Sequence, residues 1–212
     1  MPRLIDLSWT LCSTTPVFPG DPAFHTEIIR TVAEHGFHIS RMQAGMHLGT
    51  HLDAPKHFLK DGGDVAHIPL DQLYGKATLI KVMPKDGILR TEDIQTTYHK
   101  AASQQPKLLI MTSWSNERAK PEYFTKFPGF EPSFGAFVTK HGIHLIGVDM
   151  PSVQYGHGDY ATIHQELLAK NVVIVENLLH LEEIRHPFVF AAFPLKLADY
   201  DGSMIRAVAI ED

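Results

Sequence analysis

Apolar positions along this chain gather into short runs more than into long helical stripes. Residues 4–7 read as a short strand, residues 26–32 as a β-rich segment and residues 75–83 as a longer strand. Buried-strand patterns recur at 107–112, 144–148 and 172–175, the last two running out at Asp149 and Glu176. Residues 188–192 and 204–210 complete the series, the second preceded by an Asp201-Gly202 turn. Helices are expected at three places. One starts near Glu92 and runs towards Ala102, with the Thr91 hydroxyl free to accept from an orphan backbone N–H. A second covers 134–141. The third opens on Thr162-Ile163-His164-Gln165, a capping box in which Gln165 reaches back to Thr162, and continues through Leu168 to about Lys170. Residues 14–22, with three prolines, form a loop. Strands and helices interleave without strict βαβ repetition, which predicts a layered α/β or α+β domain with a mixed sheet.

Length and composition narrow this further. At 212 residues and 44% hydrophobic, the chain can fill a core without disulfide support, and no repeat or linker-like stretch divides it. One domain over 1–212 is therefore expected. A net charge of -5 without any basic run argues against a nucleic-acid partner, since phosphate binding needs clustered Lys and Arg. Asp6, Ser8 and Thr10 interrupt the N-terminal apolar residues, unlike a secretory signal, and no apolar run is long enough to span a bilayer. These features predict a cytoplasmic protein with no membrane partner. The single cysteine, Cys12, supports neither an internal disulfide nor a thiolate metal site, so any metal must be held by nitrogen and oxygen.

Histidine changes the picture: there are 14, against 19 Lys and Arg together. Most sit singly among mixed neighbours and read as surface or hydrogen-bonded residues. His47, His51, Asp53 and His57 do not. All four fall on odd positions, so an extended chain turns them to one side while Met46, Leu48 and Leu52 face the other. A helix would swing Asp53 away from the histidines, and Gly45, Gly49 and Pro55 oppose one. The segment is expected to be a strand running into a loop. A flat strand would separate His47 from His51 by about 13 Å at ~3.3 Å per residue, too far for both to bind one ion at about 2.0–2.1 Å. The backbone must curl, and Gly49 is the residue placed to allow it. Alternating polar residues on a strand are commonly just its solvated face. Three histidines and an aspartate, with no Lys, Glu or Thr on that side, suit a surface poorly and a catalytic metal site well.

The run His47-Leu48-Gly49-Thr50-His51-Leu52-Asp53-Ala54-Pro55-Lys56-His57 fills every position of the pattern H-x-G-T-H-x-D-x-P-x-H. On it the chain resembles the cyclase-type metal-dependent hydrolases, the family of bacterial kynurenine formamidase and isatin hydrolase. The likeness continues at Thr15-Pro16-Val17-Phe18-Pro19-Gly20-Asp21, at Gly147-Val148-Asp149-Met150-Pro151-Ser152, at Pro194-Leu195-Lys196-Leu197, at Asp201-Gly202-Ser203 and at Arg206-Ala207, and so covers nearly the whole chain.

The resemblance implies a mixed α/β fold of swivelling β/β/α type, with a mixed sheet and peripheral helices, assembled as a homodimer. It implies two divalent metal ions, zinc foremost and manganese as the alternative. His47, His51 and Asp53 would hold the first, with Asp53 bridging to a second completed by His164 and Glu176. His57 would be the general acid/base, and Phe18 would stand where the family commonly stacks a tryptophan on its substrate. The reaction implied is hydrolysis of a small-molecule amide, an aryl formamide such as formylkynurenine. The alternatives are opening of a cyclic amide such as isatin, or a non-catalytic metal-binding protein of the same fold. The residues agree with the implied pair: His164 falls in a first helical turn, where the dipole favours neutral imidazole, and Glu176 closes an apolar strand. Other candidates are weaker. Asp61-Gly62-Gly63-Asp64 lacks the Gly-Lys-Ser/Thr ending of a phosphate loop and reads as a turn. Ser113-Trp114-Ser115 has no nearby base and suggests packing or substrate contact, and His157-Gly158-Asp159 a loop.

Overall fold

The apolar runs become strands, and their pairing sorts them into layers. A computed structural model describes residues 1–154 and 162–212, and His157-Gly158-Asp159 lies outside the described residues. In chain order the strands are β1 (Arg3–Asp6), β2 (His25–Arg30), β3 (Ile39–Gln43), β4 (His51–Asp53) and β5 (Tyr74–Lys76). Next come β6 (Thr78–Lys81), β7 (Ile88–Leu89), β8 (Lys107–Met111), β9 (Gly129–Phe130) and β10 (Leu145–Val148). The last are β11 (Val173–Glu176), β12 (Val189–Ala191), β13 (Gly202–Met204) and β14 (Val208–Glu211). The α-helices are α1 (Val32–His35), α2 (Leu70–Leu73), α3 (Thr91–Lys100), α4 (Phe134–Lys140) and α5 (Thr162–Ala169). Among the described residues no helix is long and apolar enough to cross a membrane.

A six-stranded sheet runs in the order β13-β4-β11-β10-β8-β6. Its strands β6, β8, β10 and β11 are parallel, whereas β4 is antiparallel to both of its neighbours. A four-stranded antiparallel sheet runs β1-β14-β12-β5. Alternation along the central strands explains the stacking. Leu108, Ile110, Ile146, Val148 and Ile174 join one apolar cluster with Ile94 of α3, Phe134 of α4 and Ile163 of α5. Leu109, Leu145, Val173 and Val175 turn the other way, into a cluster with Ile5 of β1, Phe190 of β12 and Ala209 of β14. The six-stranded sheet is thus covered on both faces, which is why its central runs are apolar throughout. The layers are sheet, sheet and helices, the β/β/α arrangement that the resemblance implied.

Two expected strands are each a pair that changes sheet. The run 75–83 divides into β5, in the four-stranded sheet, and β6, in the six-stranded one. The run 204–210 divides the same way into β13 and β14, and Gly202 already belongs to β13. Period-two alternation records that a segment is extended and not which partner it finds, so a change of sheet leaves no mark in it. Thr91 does not cap α3 with its side chain. It is the first helical residue, and its own N–H is satisfied by Glu131 Oε2 at 3.0 Å, a partner supplied by tertiary structure. The β-rich 26–32 is β2 with α1 beginning at its end.

Leu109 lies on β8 against Gly147, fully buried between the two sheets. Leu109→Ala should lower stability by about 2–5 kcal/mol through lost transfer energy and the cavity left behind. The expected result is a lower urea midpoint at unchanged slope, measured by equilibrium unfolding.

Candidate metal centre

Strand β4 contains only three residues of the histidine-rich run, and the rest is bent around it. Gly49 takes φ +59°, and a Cβ there would meet Leu11 Cδ2 at 2.6 Å, so the turn accepts only glycine without rearrangement. This bend folds His47 back over the strand; the single extended face expected for His47 to His57 does not form. Downstream, Ala54 is extended, and Pro55–His57 is a 3-10 turn that begins on proline. The two bends bring His47 and His57 together with ring centroids 3.9 Å apart and planes inclined by 28°. Gly202 of β13 completes the arrangement, because a Cβ there would lie 2.8 Å from His47 Cε1.

Strand register assembles the remainder. His51 pairs with Glu176 and Met204, and Asp53 pairs with Ile174 and Gly202. Directly opposed residues share a face. His51, Asp53 and Glu176 therefore stand on the face that carries Ile174 towards the helices, while Leu52 and Val175 enter the cluster between the sheets. His164, in the first turn of α5, reaches the same face, with Nε2 3.3 Å from Glu176 Oε1 and 3.6 Å from Asp53 Oδ2. His51 Nε2 lies 3.5 Å from Asp53 Oδ1 and 3.4 Å from Glu176 Oε2. His47 Nδ1 lies 2.8 Å from Asp53 Oδ1, and His47 Nε2 lies 2.8 Å from Asp201 Oδ2. His57 Nδ1 is 3.5 Å from that same oxygen.

Among the described residues, two sets of donor atoms each gather within 4.8 Å: His47, Asp53 and His57, and His51, Asp53 and Glu176. Asp53 belongs to both. Its Oδ2 is buried without a hydrogen-bond partner. A buried carboxylate oxygen left unpaired is costly, and a divalent cation among these imidazoles and carboxylates answers it. The donor set fits such an ion in a second way. His51 Nδ1 donates to the carbonyl of Gly49 at 2.9 Å, because a carbonyl can only accept, and neutral His51 then carries its lone pair on Nε2, beside both carboxylates.

The electrostatics belong to a cluster built around positive charge. Burial alone pulls His47 down, but hydrogen bonds to Asp201 and Asp53 and the charge of Asp53 raise it to about 9. Burial likewise opposes His51, and Asp53 and Glu176 raise it to about 10. Against burial, the hydrogen bonds of His47 and His51 hold Asp53 well below the carboxylate range. Burial and the charge of Asp53 push Glu176 up, and hydrogen bonds to His164 and His51 outweigh them to leave it lowered. Asp201 is pulled to about 2, chiefly by its hydrogen bond to His47. Burial takes His57 below the ordinary histidine value, with Asp53 opposing.

The cluster floors a cleft of about 270 Å³ whose walls include Phe18, Phe58, Phe124 and Phe127, with Ser152 and Gln154 as polar neighbours. Phe18 meets Phe124 edge-on at 5.8 Å and Phe127 at 6.2 Å. A tight turn closed by Asp21 N–H to the Phe18 carbonyl, 3.0 Å, holds it at the cleft. All the residues singled out from the sequence, Phe18, His47, His51, Asp53, His57, His164 and Glu176, thus meet at one site. Asp201 had appeared as a turn residue and within a run of the family likeness, without a role at the site. Its partner His47 is distant in sequence, and no local pattern marks the contact. Asp149, at the end of β10, is buried beside the loop after β8, accepting from Thr112 N–H at 2.8 Å and Thr112 Oγ1 at 2.6 Å. Trp114 packs, its indole N–H donating to the Tyr123 carbonyl.

Fold and site together define a layered α/β protein with a divalent-metal donor cluster at the base of an aromatic small-molecule cleft. The family described as "Putative cyclase" matches residues 5–155, and the chain belongs to this Cyclase family. It is 32% identical over 205 residues to the kynurenine formamidase of Bacillus mycoides (strain KBAB4), across 96% of this chain and 95% of that one. It is 27% identical over 213 residues to the kynurenine formamidase of Bordetella petrii (strain ATCC BAA-461 / DSM 12804 / CCUG 43448), across 100% and 99%. Isatin hydrolase A from Labrenzia aggregata, solved bound to benzyl benzoate, shares the fold with a TM-score of 0.85 at 23% identity, covering 99% of this chain and 94% of that chain.

Metal-free protein holds protons on His47 and His51. The stabilisation from their raised pKa values is complete below 6.5 and is lost as pH rises through about 9 and about 10. An ion needs both rings neutral and must displace those protons. Zinc affinity should therefore climb with pH up to about 10, with proton release near neutrality. Calorimetry in buffers of different ionisation enthalpy measures both quantities, and an affinity indifferent to pH would contradict the protonated rings.

Proposed function

We propose that this chain is a metal-dependent hydrolase of amide-type carbon–nitrogen bonds, acting as one domain over 1–212 and best suited to an aryl formamide such as formylkynurenine. The observation that carries the reading is Asp53, shared between two donor sets and left with a partnerless buried oxygen, among His47, His51, His57, His164 and Glu176, which line an aromatic cleft. The full-length likeness to two kynurenine formamidases supports the same reaction class. His47, His51 and Asp53 would hold one ion, and Asp53, His164 and Glu176 a second. Zinc suits these mixed nitrogen and oxygen donors, with manganese the alternative. When bound, a divalent ion supplies Lewis acidity and a water of lowered pKa.

The chain's own residues perform the remaining work. His57 stands beside the donor cluster, and Asp201, 3.5 Å from its Nδ1, favours the tautomer with hydrogen on Nδ1 and a lone pair on Nε2. That nitrogen takes a proton from the attacking water and delivers it to the departing amide nitrogen, which leaves poorly without one. The rings of Phe18 and Phe124 offer an aryl group an apolar wall. A non-catalytic metal-binding role fits less well, because the sequence retains both His57 and the bridging carboxylate Asp53.

A homodimer is part of this reading. Strands β2 and β3 form a two-stranded hairpin on which Ile28 is 63% and Met42 56% exposed. Such a hairpin is marginal in water alone, and a second copy covering it would remove that apolar surface. Sedimentation velocity should return a dimer, and Ile28→Glu with Met42→Glu a monomer. His57→Ala should keep near-normal metal content while turnover of formylkynurenine falls roughly 100- to 10,000-fold. His51→Ala should lose metal and activity together. Faster turnover of isatin than of formylkynurenine would move the assignment to the cyclic amide.

A further inference from the structure

Asn177 follows Glu176 directly and takes φ +60°, a left-handed conformation that asparagine tolerates better than most residues. It is 3% exposed, and each of its polar groups has a partner. Its backbone N–H donates to the Met150 carbonyl at 2.9 Å, and its own carbonyl accepts from Thr50 Oγ1 at 2.7 Å. Its side-chain Nδ2 donates to the Gly49 carbonyl at 3.0 Å, and its Oδ1 accepts from Tyr123 O–H at 2.8 Å. The amide orientation follows from its partners, since the Gly49 carbonyl can only accept. Tyr123 is held in its protonated, donating form because burial, with the charges of Asp149 and Glu176, pushes its pKa well above the ordinary value.

The Gly49 carbonyl is thus a shared acceptor, fixed by Asn177 Nδ2 and receiving the Nδ1–H of His51. We propose that Asn177 is a positioning residue that sets the ring plane and tautomer of His51 through the Gly49 carbonyl, presenting the Nε2 lone pair towards Asp53 and Glu176. Thr50, clamped between Trp9 N–H and the Asn177 carbonyl, holds the same turn from its other side. The inference rests on the reading that His51 binds a divalent ion. Residues that orient a ligand through its second nitrogen typically contribute about 10- to 100-fold in metal affinity.

Two variants separate orientation from structural support. Asn177→Gly keeps the left-handed backbone and removes the amide, whereas Asn177→Asp keeps the shape but cannot donate to Gly49 at neutral pH. Zinc affinity, by competition with a chromophoric chelator, should fall about 10- to 100-fold in both. In zinc-loaded protein the ring-nitrogen NMR signals of His51 should lose the single tautomer of the parent chain. Tyr123→Phe, which frees Oδ1, should weaken binding in the same direction by less, and it tests the link if the Asn177 variants fail to fold. Parent-like affinity and His51 spectra in variants whose metal-free unfolding midpoint has dropped would assign Asn177 a merely structural role and overturn the proposal. If the parent chain binds no divalent ion, the metal reading falls and this inference with it. If it binds and the variants bind equally well, only the inference falls.

Discussion

The antiparallel register of β4 between β11 and β13 is the constraint on which the site depends. It sets His51 opposite Glu176 and Asp53 opposite Gly202, with His51, Asp53 and Glu176 on one face. A slip of one residue would turn Asp53 and His51 into the apolar layer between the sheets and bring Leu52 to the cleft. Leu52 and Val175, buried in that layer, oppose such a slip, so the packing that stabilises the two-sheet sandwich also defines the donor cluster.

Collecting these groups carries an electrostatic cost that the cluster largely answers internally. Asp53 and Glu176 are almost fully buried, and removing an ion from water costs on the order of several kcal/mol even after relaxation. The surrounding imidazoles hold both carboxylates ionised, and the carboxylates hold His47 and His51 protonated in return. What the arrangement leaves unanswered is Asp53 Oδ2, the oxygen nearest His164. A fold that leaves that oxygen without a donor, in the middle of a ring of nitrogen and oxygen ligands, is organised for a cation.

Small or left-handed positions make this density of polar groups sterically possible. Gly49 allows the bend that returns His47, Gly202 leaves room for its ring, and Asn177 turns the chain immediately after Glu176. Each stands within one or two residues of a cluster residue or directly against one. The cleft above is walled by aromatic rings contributed from separate loops, Phe18 packing edge-on against Phe124 and Phe127. Cleft identity thus depends on loop packing, whereas the donor floor depends on strand register.

Local sequence was enough to single out the residues that gather around Asp53, the apolar runs that become the central strands, and the need for a bend at Gly49. These are legible because side-chain type, period-two alternation and the reach of a metal bond are local properties of the chain. Tertiary structure alone decided that 75–83 and 204–210 each divide between two sheets, that Thr91 receives its helix-end partner from Glu131, and that Asp149 stays in a structural network. It also decided that Asp201 meets His47 and His57, and that Asn177 reaches back to the Gly49 carbonyl. Those contacts join residues remote along the chain through side-chain hydrogen bonds. Such bonds have no periodicity and no fixed spacing, so only the folded arrangement of the strands and loops brings their partners within reach.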